Sequence, residues 1–182
     1  MNQTIRIIGG KFRGKKLQFP DSEGLRPTPD RVRETLFNWL MHDIREAHCL
    51  DAFAGSGALG FEAHSRGAAK VVLLEENPLV FNSLIKVASA FNTPHLTVKK
   101  MDALKFLRQS NEQFDIVFLD PPFAKNYLPL CLQTLANSTL LKLGGLLYIE
   151  SPNEIEVDLK TWEQIKLKHA GQIVYSLYRK LK

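Results

Sequence analysis

The sequence predicts an α/β domain: a mostly parallel sheet with helices on both faces, preceded by a short basic hairpin and a helix. Three observations carry this. From residue 47 onward, apolar runs and amphipathic stretches alternate along the chain, the pattern of strands joined by right-handed helical crossovers. The two last apolar stretches, at 162–168 and 173–179, are joined around Ala170-Gly171 and read as an antiparallel hairpin on the sheet edge. The net charge of +5 lies wholly within residues 1–33, where eight Lys or Arg face three acids.

Taken in order, residues 5–19 contain Gly9-Gly10 and Gly14 and read as a twisted hairpin with a basic face. Asp21–Gly24 is a loop. Thr28-Pro29 reads as a helix start, Thr28 as N-cap and Pro29 at the first helical position, where its missing N–H is harmless. Val32, Leu36, Phe37, Trp39 and Leu40 follow at helical spacing, an apolar stripe on a helix of roughly three turns. Strands are then expected at 48–53, 70–75, 95–99, 114–119 and 145–150, with helices at 58–66, 78–91, 103–109 and 126–138. A chain of 182 residues fits one domain with an extension: residues 1–41 as the appendage and 42–182 as the main body.

Composition narrows the class. No apolar run approaches the roughly 20 residues a bilayer span needs, and the first residues carry no signal-peptide core, Arg6, Gly9, Gly10 and Lys11 interrupting them. A cytoplasmic protein is expected. Cys49 and Cys131 share no metal-ligand spacing and are expected as two free buried thiols, with neither metal nor membrane involved. The basic N-terminal segment has the charge distribution of a nucleic-acid contact, or of a solvated tail.

Leu50 to Gly60 runs from a strand into a helix through a glycine turn, in which Gly55, Gly57 and Gly60 satisfy G-x-G-x-x-G. Glycines there allow positive φ and close approach of a ligand, and the helix start presents free N–H groups. A nicotinamide dinucleotide fits that motif. S-adenosylmethionine fits two further features better. Asp51, at the strand end, repels a pyrophosphate and attracts an ammonium. Glu75 ends the next strand, 24 positions after Asp51, where a carboxylate can accept hydrogen bonds from both ribose hydroxyls of either cofactor. Asp102 can cap the following helix or bond an adenine amine. Phe53, Ser56 and Ala103 complete this candidate cofactor set.

The run Phe114–Leu119 delivers Asp120-Pro121-Pro122-Phe123 at its carboxyl end, where open α/β sheets bind ligands. Consecutive prolines stiffen the backbone and leave carbonyls without competing donors. The Asp120 carboxylate and the Pro121 carbonyl are thus a rigid acceptor pair for one NH2 group. An exocyclic base amine is a poor nucleophile, and two acceptors hold it and stabilise its developing positive charge. Phe123 supplies an aromatic face for stacking the base.

These motifs resemble class I methyltransferases acting on adenine N6 or guanine N2. Ile7 to Gly14 and Arg26 to Phe37, together with Asp51–Gly60 and Asp120–Phe123, resemble more narrowly the bacterial 16S ribosomal RNA guanine-N2 methyltransferases of the D type. The resemblance covers essentially the whole chain. It implies a Rossmann-like, seven-stranded mostly parallel sheet, S-adenosyl-L-methionine as methyl donor, and one guanine of 16S rRNA as substrate. It further implies an assembled or partly assembled 30S particle as partner and a monomeric enzyme. It places Thr28, Arg26, Arg31 and Arg33 at the mouth of the pocket, Thr28 among the cofactor contacts and the three arginines, with Arg6, Lys11, Arg13, Lys15 and Lys16, among the RNA contacts, the lysines and Arg13 largely to phosphates. Asn77 stands where relatives often place a second acid, and can still hydrogen-bond the cofactor. Rival readings are adenine N6 methylation of DNA or RNA, methylation of a protein glutamine, a nicotinamide-dependent oxidoreductase, and a non-catalytic RNA-binding factor.

Overall fold

The computed structural model describes residues 2–182. Strands β1 (Asn2–Arg6) and β2 (Lys16–Pro20) pair antiparallel as a separate two-stranded hairpin, and α1 (Asp30–Trp39) follows. The main sheet comprises β3 (His48–Asp51), β4 (Lys70–Glu75), β5 (Leu96–Lys100), β6 (Phe114–Leu119), β7 (Leu141–Ser151), β8 (Trp162–Ala170) and β9 (Ile173–Lys180). Its order is β5-β4-β3-β6-β7-β9-β8, with β9 antiparallel to both β7 and β8 and the other neighbours parallel. This is the seven-stranded, mostly parallel sheet that the sequence resemblance implied.

Helices α2 (Ala58–Ser65), α3 (Pro78–Ser89), α4 (Ala103–Gln109) and α5 (Leu128–Ala136) make the crossovers. Successive residues of the central strands enter different hydrophobic clusters, as a pleat covered on both faces requires. Cys49, Val71, Leu73, Ile116 and Phe118 pack with α1, α2 and α3. Leu50, Val72, Leu74, Val117 and Leu119 pack with α4 and α5. The strand order reverses at β3, so the crevice between the carboxyl ends of β3 and β6 is the topological switch point.

The N-terminal residues are built into this core. Ile7, Leu17, Val32, Leu36, Phe37 and Leu40 are buried in the cluster that holds Leu59, Phe61 and Phe118. The loop between β1 and β2 is fastened to α2. Ile8 and Gly9 donate their N–H groups to the buried Glu62 carboxylate at 3.0 and 2.9 Å, and Lys11 N–H donates to the Ser65 carbonyl at 2.8 Å. Gly10 has φ +78°, and a Cβ there would lie 2.0 Å from the Ser65 carbonyl oxygen, so only glycine permits this approach.

Several boundaries shift by a few residues, the strand expected at 48–53 ending at Asp51 and the helix expected at 126–138 spanning Leu128–Ala136, and two of the differences bear on the fold. Pro29, not Thr28, occupies the N-cap of α1, and no side chain caps that end. Thr28 is buried, its hydroxyl engaged by Glu150 across the fold. A buried carboxylate needing a donor outcompetes a helix end that opens toward solvent. Strand β7 begins at Leu141 rather than 145, pairing Phe114 with Leu141 before a register shift.

Candidate active site

Four acids converge on the switch-point crevice, each at or near the carboxyl end of one of four adjacent strands: Glu75 on β4, Asp51 on β3, Asp120 after β6 and Glu150 on β7. Parallel strands covered on both faces end beneath the loops that follow them, so Asp51 and Glu150 are buried there and Glu75 and Asp120 half-buried. Among the described residues none of the four forms an ion pair. Burial is accordingly the largest influence on each and favours the neutral form. Asp51 is pushed up to about 7, the charges of Glu75 and Glu150 adding to its burial. Asp120, close to Glu150 and Asp51, is raised well above the usual carboxylate range. Glu75 and Glu150 are also raised.

The glycine turn is shaped by two of these acids. Asp51 Oδ2 accepts the Gly60 N–H at 2.9 Å, and Glu75 Oε2 accepts the Gly55 N–H at 3.1 Å. Gly55 and Gly57 adopt φ of +52° and +79°, and Gly57 is the left-handed N-cap of α2. Ser56 is buried and its Oγ accepts the Ala58 N–H at 3.3 Å. Leu25, from the loop before α1, covers the turn: a Cβ on Gly55 would meet its Cδ1 at 2.7 Å.

On the other wall, Pro121 is buried while Pro122 and Phe123 are exposed, Phe123 at 47%. Phe53 packs against Tyr127 with ring centroids 5.4 Å apart, joining the glycine turn to the loop that carries Phe123. Lys125 of that loop meets Glu76 at 3.4 Å. Thr28 Oγ1 donates to Glu150 Oε1 at 2.8 Å and stands 3.4 Å from Asp120 Oδ2, so the N-terminal segment reaches the crevice floor.

Other residues singled out from sequence have engaged partners. Asp102 caps α4, its Oδ1 accepting the Lys105 N–H at 2.8 Å, and Ala103 is buried behind it. Asn77 caps α3, its Oδ1 accepting from Leu79 and Val80. Arg6, Lys11, Arg13, Lys16, Arg26 and Arg31 are exposed. Lys15 is half-buried, its ammonium 4.9 Å from the centroid of the Phe91 ring. Arg33 departs from its expected place at the pocket mouth: it is fully buried, bonding Asp30, Glu62 and the carbonyls of Arg6 and Thr28. With its donors engaged internally it presents nothing to RNA. Sequence reasoning missed Glu150 and Tyr148. The signal was present, since Glu150 ends a buried apolar run just as Glu75 does.

The crevice fits a ligand that carries positive charge and hydroxyl donors, because its carboxyls lack basic partners and glycines line its floor. A pyrophosphate would add negative charge to that cluster. The family model described as Conserved hypothetical protein 95 matches residues 5–179. Ribosomal RNA small subunit methyltransferase D of Escherichia coli (strain K12) is 47% identical, over 97% of this chain and 90% of that protein. The protein of the same name in Haemophilus influenzae is 44% identical, over 96% of this chain and 93% of its own length. A solved structure described as "Putative methyltransferase yhhF from Escherichia coli" superposes with a TM-score of 0.90 at 45% identity, covering 98% of this chain and 99% of that one. Matched across nearly its whole length, the chain belongs to the Conserved hypothetical protein 95 family, alongside the ribosomal RNA small subunit methyltransferase D proteins.

Proposed function

We propose that this chain methylates the exocyclic N2 amine of one guanine in 16S ribosomal RNA, with S-adenosylmethionine as donor. One observation carries the reading: an acidic crevice without basic partners opens at the strand-order reversal, with Asp120-Pro121-Pro122-Phe123 on its lip. The family relatives named for small-subunit ribosomal RNA support the substrate class, and the N-terminal signature supports guanine N2.

Bound in the crevice, S-adenosylmethionine supplies an electrophilic methyl group. Asp51 holds the ligand ammonium, Glu75 accepts from the ribose hydroxyls, and Asp102, through the oxygen not used in capping, accepts from the adenine amine. Phe53 and Ser56 line the turn between them, and Ala103 backs the adenine side. Asn77 contributes through its amide N–H groups. The Asp120 carboxyl and the Pro121 carbonyl accept from the guanine amine, and Phe123 stacks on the ring. Residues 1–41 form the RNA-contacting appendage: Arg6, Lys11, Arg13, Lys16, Arg26 and Arg31 meet phosphates and fix register. The substrate is 16S rRNA in an assembled or partly assembled 30S particle, met in the cytoplasm by a monomer.

The test is label transfer from S-adenosylmethionine into separate pools of 30S particles, naked 16S rRNA, DNA and protein, followed by nucleoside mapping. N2-methylguanosine at one position in the ribosomal pools is expected. Label confined to DNA or protein, or N6-methyladenosine in its place, refutes the reading.

A further inference from the structure

The Asp120 carboxyl has an unassigned neighbour. Tyr148 OH and Thr28 Oγ1 both donate to Glu150 Oε1, each at 2.8 Å. Thr28 carries a single hydroxyl proton, so its 3.4 Å approach to Asp120 Oδ2 is at best a weak share of a bond already made to Glu150. Glu150 therefore has two donors of its own and Asp120 has none. Thr28, Tyr148 and Glu150 are all buried, at 4%, 0% and 4% exposure, and Asp120 is half-buried; the one Thr28 hydroxyl oxygen lies within 3.4 Å of a carboxyl oxygen of each acid. Two carboxyls gathered around one hydroxyl, one of them buried and the other half-buried, favour a single negative charge between them. The two donors favour the charge on Glu150 and leave the proton to Asp120.

We propose that Asp120 and Glu150 share one proton at the crevice floor, and that Glu150, fixed by Thr28 and Tyr148, is the positioning residue that lets Asp120 take up the proton released by the methylated amine. This rests on the methyl-transfer reading. The amine nitrogen bonds the methyl carbon as the carbon–sulfur bond breaks, its electron pair leaving with sulfur. The nitrogen then carries a positive charge and an excess proton. That proton passes to the free oxygen of Asp120, while the proton already on Asp120 passes to Glu150. The pair goes from one proton and a charge of −1 to two protons and no charge, and the methylated amine is neutral. The extra proton returns to water as product leaves.

The test compares wild type with Glu150→Gln. In ligand-free protein, carbon-13 NMR of the side-chain carboxyls should show Asp120 and Glu150 titrating together in two steps. In Glu150→Gln the Asp120 carboxyl should titrate in one step, at lower pH than its wild-type deprotonation. In turnover, kcat should fall by about 100-fold, the low end for lost acid–base assistance, with KM for the ribosomal substrate little changed. The acid limb of kcat should move to higher pH, because a lone Asp120 must be ionised to accept. Tyr148→Phe, which removes one donor and keeps the ring, should move the Asp120 titration in the same direction by less, and it carries the test if Glu150→Gln does not fold. Unchanged Asp120 titration in both variants, or an unchanged acid limb, overturns the proposal. If wild type neither binds S-adenosylhomocysteine nor methylates rRNA, the functional reading fails instead, and the ligand-free titration still decides whether the proton is shared.

Discussion

Acidification should weaken binding of S-adenosylhomocysteine, because the crevice must release a proton to receive an ammonium. Asp51 is 1% exposed and its carboxylate accepts the Gly60 N–H. Burial first, then the charges of Glu75 and Glu150, place its titration at about 7. A ligand ammonium at Asp51 selects the ionised form. That form makes up about half of the protein at pH 7 and about 1% at pH 5, so affinity should fall about 50-fold, or ~2.3 kcal/mol. Isothermal titration calorimetry in buffers of different ionisation heat measures both the affinity and the release of about half a proton at pH 7. Asp51→Asn should bind more weakly at pH 7 and lose most of the slope. Affinity that is flat between pH 5 and 7, or a slope that survives in Asp51→Asn, refutes the assignment of the ligand ammonium to Asp51.

The same residue acts on folding in the opposite sense. Its folded titration at about 7 lies above the ordinary 3.8, so the folded protein binds more protons than the unfolded chain between those values. Stability from this group is full below pH 4 and declines as pH rises through about 7, by up to ~4 kcal/mol. Ligand-free Asp51→Asn should therefore have a higher Tm than wild type at pH 8, with the difference shrinking toward pH 5; a lower Tm at pH 8 contradicts the buried-charge account.

Three further outcomes follow from particular contacts. Glu62→Ala strands Arg33 and Arg66 and frees the N–H groups of Ile8 and Gly9, and should lose about 3–5 kcal/mol in chemical denaturation. Lys11→Glu with Lys16→Glu alters two exposed residues of the hairpin; the slope of log affinity for rRNA against log salt should become shallower by about 2, with S-adenosylhomocysteine binding unchanged. Phe123→Ala removes a ring that is 47% exposed, so unfolding free energy should move by less than about 0.5 kcal/mol while kcat/KM for rRNA falls by roughly 10- to 100-fold from lost stacking.

The strand–helix alternation was legible because the central strands carry apolar runs ended by an acid. Leu50-Asp51, Leu74-Glu75 and Leu119-Asp120 mark both a strand and the end at which ligands gather. Tyr148-Ile149-Glu150 carries the same mark and went unread, since no glycine turn or proline pair follows it. The two misplacements have one cause. Thr28 satisfies a local capping rule, and Arg33 lies in a basic stretch that reads as surface. Their partners, Glu150 and Glu62, are 122 and 29 positions away. Local pattern fixes direction and spacing, whereas the destination of a polar side chain is set by competition among buried charges, which only the assembled fold defines.

That competition also orders the crevice. A buried carboxylate is tolerated in proportion to the donors aimed at it. Glu150 has the Thr28 and Tyr148 hydroxyls, Glu75 has the N–H groups of Gly55 and Asn77, and Asp51 has that of Gly60. Asp120 has only the distant edge of a hydroxyl already bound elsewhere. The fold thus leaves its largest deficit of donors on the residue at the proline corner, where an incoming NH2 group brings two. The protein's own groups leave this acceptor the least satisfied of the four, and that unmet demand is the physical ground for the proposed placement of the substrate amine at Asp120 rather than at any of its neighbours.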